Sequence, residues 1–297
     1  MIEIVTLGTG SAIPNILRNH SSTAIVRDGD IFLFDCGEAT QHQIQKVGLR
    51  HSKIQAIFIS HLHGDHVFGL PGLLTTLGLN GRDIPLSVYG PPGIKEYVEE
   101  MLRLVSAVVD YPLHVVEMQT GIEYDLGEVH VTALPLKHGV LTYGFRIRED
   151  DKPGKFDLEH AVSLGIPAGP LFGQLQKGNS IEWNGKTIHP ADVLGEARRG
   201  CVLAYILDSE PCENAKELAR NADAALFDGT YTDEDTDYAR RGQHSTHKEA
   251  CVIAQEAGVR MLILTHFSQR YVVPFKNFEQ NGMKVVYAYD RMRVQVC

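Results

Sequence analysis

The run Ile57-Phe58-Ile59-Ser60-His61-Leu62-His63-Gly64-Asp65-His66-Val67-Phe68-Gly69 places three imidazoles and a carboxylate within six residues. It follows the apolar, strand-like segment Ile54–Ser60 and opens into a helical pattern, so it occupies a strand-to-helix loop. In an extended chain alternate side chains project to one side, which turns His61, His63 and Asp65 toward a common centre. His66 swings toward the same centre as the helix begins, and Gly64 relieves the backbone at the bend. A lone histidine is usually a satisfied surface or core residue. Four such groups directly after an apolar strand form a ligand set for zinc or a similar borderline divalent ion.

Four ligands in one loop suit two neighbouring ions better than one, and the remaining ligands should come from other strand ends. His138 in Leu134-Pro-Leu-Lys-His138, Asp208 in Tyr205-Ile-Leu-Asp208 and His266 in Leu262-Ile-Leu-Thr-His266 each close an apolar, strand-like run. The resulting assignment gives His61, His63 and His138 to one ion and Asp65, His66 and His266 to the other, with Asp208 between them. Two zinc ions per chain, or manganese or another divalent ion in their place, suit hydrolysis of phosphodiesters.

Around this loop, short β-branched runs alternate with helical patterns. Strands are expected at Ile2–Leu7, Ser22–Val26, Ile31–Cys36, Leu113–Met118, Val129–Pro135, Thr142–Arg148, Val202–Leu207, Ala224–Asp228, Met261–His266 and Val285–Tyr289. Helices are expected at Glu38–Val47, Pro92–Val109, Ala215–Asn221 and Thr246–Ala257. Two groups of strands with interleaved helices predict an α/β fold of two sheets packed face to face with helices outside. From about Asp150 to Gly200 the strand pattern lapses and glycine and proline become frequent, as a functional insertion or a small covering subdomain would require.

The 297 residues suit one elaborated domain, and the longest apolar runs are far too short to span a bilayer. The start, Met1-Ile-Glu-Ile-Val5, has no basic segment followed by an apolar run, so a cytoplasmic protein is expected. Five cysteines without paired spacing suit free thiols. With 28 basic and 37 acidic side chains the net charge is −9, which argues against coating by nucleic acid through bulk charge.

Several motifs resemble the metallo-β-lactamase superfamily and, within it, the ribonuclease Z family. They are Leu7-Gly-Thr-Gly10, Phe34-Asp-Cys-Gly-Glu-Ala-Thr-Gln41, Ser60-His-Leu-His-Gly-Asp-His66, Gly69-Leu-Pro-Gly72, His244-Ser-Thr246 and Thr265-His-Phe-Ser-Gln-Arg-Tyr271. The resemblance implies a single domain, residues 1–297, with a four-layer αβ/βα sandwich, and an inserted arm over 150–200. It implies a zinc-dependent endoribonuclease that removes the 3′ trailer from precursor tRNA and leaves a 3′-hydroxyl. Asp65 would also orient or deprotonate the attacking water, and His244 would protonate the departing 3′ oxygen. Asp35 and the Gly37-Glu38 turn would be a supporting, structural shell. The arm would grip tRNA through Lys152, Lys155 and Lys177, one subunit of a homodimer serving its partner's site. By count the arm holds six basic and seven acidic residues, so it offers individual lysines rather than a positive field.

Arg18, Asn19 and Arg270 complete the expected substrate contacts. Lys46, Arg50 and Lys53 are further basic candidates, and the acidic run Asp233–Asp237 is expected to face away. Three positions depart from the family pattern. Leu207-Asp208-Ser209 stands for Gly-Asp-Thr, and Asp228-Gly229-Thr230 for Glu-Ala-Thr, while Ile16 replaces a common lysine. The alternatives are a relative that cleaves another RNA or a small phosphodiester, a scaffold that has kept the fold without catalysis, and a di-iron redox protein. An absent arm would mark the first and missing ligands the second. The hydrolase-like ligand set weighs against the third.

Overall fold

A computed structural model describes residues 2–272 and 275–297, which divide into two compact units. The first runs to Ile147 and resumes over Val202–Cys297; the second is Arg148–Cys201. Met1, Val273 and Pro274 lie outside the described residues.

The strands in chain order are β1 (Ile2–Gly8), β2 (Ser22–Arg27), β3 (Asp30–Phe34), β4 (Ile54–Phe58), β5 (Leu86–Gly90), β6 (Leu113–Glu117), β7 (Glu123–Asp125), β8 (Val129–Pro135), β9 (Tyr143–Glu149), β10 (Ile181–Trp183), β11 (Lys186–Ile188), β12 (Val202–Ile206), β13 (Ala224–Asp228), β14 (Met261–Thr265), β15 (Phe278–Gln280), β16 (Met283–Tyr287) and β17 (Met292–Gln295). In the first unit one sheet has the order β17-β1-β2-β3-β4-β5-β6 and the other β15-β16-β14-β13-β12-β9-β8-β7. Inner faces meet through aromatic rings. Phe34 stacks on Phe58 at 5.2 Å, and both stand edge-on to Phe145 of the other sheet at 5.5 and 5.6 Å. Helices Thr40–Lys46 and Ile94–Leu104 lie on the first sheet, and Glu213–Ala219 and His247–Glu256 on the second.

Strand direction decides where chemistry can sit. β3, β4, β5 and β6 run parallel in one sheet, as do β12, β13, β14 and β16 in the other. A ligand site in such sheets forms beyond the carboxyl ends of the strands, where the loops to the helices begin. Local signals fix the pairing elsewhere: β2 and β3 are joined by Asp28-Gly29, both at positive φ, as a two-residue hairpin turn needs.

The second unit departs from the expected lapse in structure. It contains helices Leu158–Ser163 and Pro170–Gln176 and the β10–β11 hairpin. They close on a small core of Ala161, Ile166, Leu175, Ile181, Ile188 and Val193, with Phe156, Phe172 and Trp183 against it. Glycines and prolines there shorten the elements rather than abolish them.

The helix expected over Pro92–Val109 stops at Leu104, before a β-branched run in which Ser106 takes a left-handed conformation. Cys36, Cys212 and Cys251 carry free thiols and Cys201 and Cys297 do not, which corrects the expectation of five free thiols. No helix among the described residues is long and apolar enough to cross a membrane.

Candidate metal centre

The carboxyl ends of β3, β4, β12, β13 and β14 converge, and each supplies a polar side chain at its last residue or within three residues beyond it. Three of these residues, Asp35, Asp208 and His266, have φ between 52° and 64°. That left-handed geometry is disfavoured for residues with a Cβ, and it turns the chain sharply off the strand. Beyond β4, His61 lies outside any helix or strand and His63 is extended, whereas Asp65 and His66 belong to the short helix Gly64–Val67. The alternation expected to carry Asp65 alongside the first two histidines therefore ends at His63. Gly64 is not at positive φ either: a Cβ there would meet the Phe68 ring at 2.2 Å, so glycine lets that ring lie against the bend rather than supplying backbone freedom.

Two groups of donor atoms result. His61, His63, His138 and Asp208 form one, Asp65, His66 and His266 the other, each with ligand atoms within 4.8 Å of one another. Asp208 lies between them. Its Oδ1 is 3.3 Å from His66 Nε2 and 3.2 Å from His266 Nε2, and its Oδ2 is 3.8 Å from the Nε2 atoms of both His61 and His138. Burial opposes the Asp208 charge, but His266 and His66 hold its carboxyl well below the usual range. The Asp65 carboxyl is likewise held low by His66 and His266 against the cost of burial.

The donors are chemically suited to cations. His66 Nδ1 donates to Asp35 Oδ2 at 2.7 Å, and His266 Nδ1 donates to Thr230 Oγ1 at 2.7 Å, since that hydroxyl gives its own proton to Asp228 Oδ1. Burial disfavours the His66 imidazolium but Asp208, Asp35 and Asp65 favour it, so this ring is cationic when no metal is bound; with a cation in the proton's place both Nε2 atoms present lone pairs, and they stand 3.2 Å apart. Two lone pairs at that distance repel unless a cation lies between; zinc–nitrogen bonds of ~2.0 Å at tetrahedral angles separate their nitrogens by about 3.3 Å. His61 Nε2 and His63 Nδ1 make a similar approach of 2.9 Å. His138 Nδ1 donates to the Gln243 carbonyl, which leaves its buried Nε2 without a hydrogen bond, as is Asp208 Oδ1. Such orphaned buried atoms are costly without a ligand.

His244 stands at the edge of the second group. Its Nδ1 donates to Asp228 Oδ2 at 2.8 Å, and its ring is 5.2 Å from His138 and 5.6 Å from His266. Burial disfavours the imidazolium, but the Asp228 carboxylate prevails and pushes its pKa up to about 9.

A family model described as "Anti-Pycsar protein Apyc1" matches residues 2–150. A ribonuclease Z from Methanosarcina acetivorans is 39% identical over 300 residues, covering 100% of this chain and 98% of its own. A ribonuclease Z from Cyanothece sp. is 42% identical over 273 residues, covering 91% and 85%. The chain belongs to the ribonuclease Z family. The structure of human tRNase Z, short form, superposes with a TM-score of 0.74 at 26% identity, over 99% of both chains. The metallo-β-lactamase fold protein YhfI from Bacillus subtilis superposes at 0.68 with 18% identity over 99% of this chain and 98% of its own, a likeness of fold. The two sheets with outer helices are that metallo-β-lactamase fold.

In this chain Asp228 reaches His244 at 2.8 Å, and Ser209 N–H also donates to it at 3.1 Å. Asp35, read from sequence as part of a structural shell, accepts from Ser60 N–H, Tyr205 Oη and His66 and so aims a candidate ligand. Thr230 and the Gln243 carbonyl do the same work, but a backbone acceptor leaves no sequence signal. Arg18 places its guanidinium 4.3 Å over Phe267 and donates to Thr9 and the Ala288 carbonyl, and Asn19 donates to Asp290. Ile16 is fully exposed in the same loop.

Lys155 and Lys177 are exposed, and Lys152 pairs with Glu149 at 2.9 Å. Lys53 precedes the first residue of β4 while His61 follows its end, so Arg50 and Lys53 sit at the opposite end of the strand from the donors. The acidic run does not all face away, because Asp235 pairs with Arg270 at 2.8 Å.

Proposed function

We propose that this chain is a divalent-metal-dependent endoribonuclease that removes the 3′ trailer from precursor tRNA, working in the cytoplasm as a homodimer. The observation that carries this reading is the pair of donor groups sharing Asp208, in a chain matched end to end by ribonucleases Z. His61, His63 and His138 would hold one zinc ion, Asp65, His66 and His266 the other, and Asp208 both. Ions held there bring the pKa of water toward neutrality and offset charge building on the phosphate oxygens.

The chain's own residues do the remaining work. Asp35, Thr230 and the Gln243 carbonyl orient the imidazoles from behind, so that lone pairs face the cleft. Asp65, held ionised, accepts a hydrogen bond from the attacking water and so orients it. His244 carries a proton near neutral pH and delivers it to the departing 3′ oxygen, with Asp228 fixing the tautomer and the ring plane. Lys152, Lys155 and Lys177 offer cations to tRNA phosphates, from the Arg148–Cys201 unit of one subunit to substrate in its partner's site.

The test is incubation of the purified protein with a precursor tRNA and mapping of the product's 3′ end. One discrete cut next to the discriminator base, leaving a 3′-hydroxyl and abolished by a chelator, is expected. Scattered cuts, or none with metal supplied, would refute the reading.

A further inference from the structure

We propose that Arg270 is a positioning residue for His244, acting through Tyr231, and is not a phosphate contact. The proposal rests on the reading of His244 as general acid. Arg270 Nη1 donates to Asp235 Oδ1 at 2.8 Å, and the guanidinium carbon lies 4.0 Å from the centre of the Tyr238 ring and 5.4 Å from that of Tyr231. Its charge is thus met by a carboxylate and its face by two aromatic rings, an arrangement that a planar guanidinium satisfies and an ammonium does not.

Tyr271 adds a second grip on the same stretch. Its hydroxyl accepts from Thr232 N–H at 3.0 Å and donates to Asp235. Both residues follow β14, the strand that His266 directly succeeds, and both hold Tyr231–Asp235.

What they hold is one wall of the His244 pocket. The Tyr231 ring meets the His244 ring edge-on, centroids 5.8 Å apart at 63°. Gly242 closes in on both rings, since a Cβ there would lie 2.8 Å from His244 Cδ2 and 3.8 Å from Tyr231 Cε2. Asp228 Oδ2 at 2.8 Å and Thr230 Oγ1 at 3.3 Å both meet Nδ1, and contacts to that one atom leave the ring free to tilt about it. Tyr231 removes that freedom, and Tyr231 stays in place because Arg270 backs it while His247 N–H donates to its carbonyl at 3.1 Å. A general acid tilted away from the leaving oxygen loses its proton-transfer geometry while substrate binding is untouched.

The experiment compares two substrates. Precursor tRNA releases an alkoxide that needs a proton, whereas bis(p-nitrophenyl) phosphate releases a phenolate that leaves unaided. Arg270→Ala is expected to lower kcat on precursor tRNA by about tenfold or more, with KM and its salt dependence unchanged. Turnover of the activated ester should fall by less than about threefold, because general acid catalysis contributes little there. Asp235→Asn should reproduce this pattern and keeps the proposal open to refutation where Arg270→Ala does not fold. In a His244→Ala background the Arg270→Ala loss should disappear.

A raised KM with a flatter salt dependence would overturn the proposal in favour of a phosphate contact. Equal losses on both substrates, or an undiminished loss in the His244→Ala background, would overturn it as well. If His244→Ala alone depressed both substrates equally, the general-acid reading itself would fail, whatever Arg270 did.

Discussion

The two oxygens of Asp228 serve four groups. Oδ2 takes His244 Nδ1 and Ser209 N–H, and Oδ1 takes the Thr230 hydroxyl and amide. The proximity of this charge keeps His244 protonated up to about pH 9. Cleavage of precursor tRNA should therefore decline as pH rises through about 9. Asp228→Asn removes the charge and leaves burial, which acts in the opposite direction. The alkaline limb should then move down by more than a unit, and the rate at neutral pH should drop by about tenfold or more. A kcat–pH profile checks this, and an unmoved limb would contradict it. Stability has the same sign: the raised pKa favours the folded state fully below the ordinary 6.5 and loses that contribution as pH rises through about 9.

At the scale of elements, the site depends on how tightly the metal-loop helix is held. Gly69 N–H donates to the Cys36 carbonyl, and a Cβ on Gly69 would lie 2.0 Å from the Gly37 carbonyl oxygen. That contact is backbone against backbone and has no way to yield. Gly69→Ala should cost about 1–3 kcal/mol and loosen metal binding, measured by denaturant unfolding and metal titration. Gly64→Ala should be milder, because the atom it meets belongs to Phe68, a ring 63% exposed and free to swing. Equal costs would contradict the contact argument.

Sequence patterning reached the donors because each follows a β-branched run, and composition is enough to mark such runs. It did not find the helix Leu70–Leu79, which contains Pro71, Gly72 and Gly78 and is apolar on most sides. It also missed β5, a five-residue strand directly after Pro85. The left-handed turns at Asp35, Asp208 and His266 were invisible, since tertiary packing and not residue type imposes them. The pairing of Arg270 with Asp235 spans 35 residues, a separation at which no periodicity links two charges.

Across the whole molecule, the net charge of −9 is spent partly inside it. Asp35, Asp65, Asp208 and Asp228 are buried around the histidines, so a good part of the acidic excess belongs to the cleft and is not presented to RNA. Carboxylates and imidazole nitrogens arranged in this way ask for cations, and the number of cations is the most direct consequence of the geometry. Two donor groups with one oxygen of Asp208 toward each predict two divalent ions per chain. Elemental analysis of the protein, loaded with zinc and freed of excess, should therefore give about two ions per chain, falling to about one in His63→Ala. A single tightly held ion in the unaltered protein, unaffected by His63→Ala, would contradict the two-centre account.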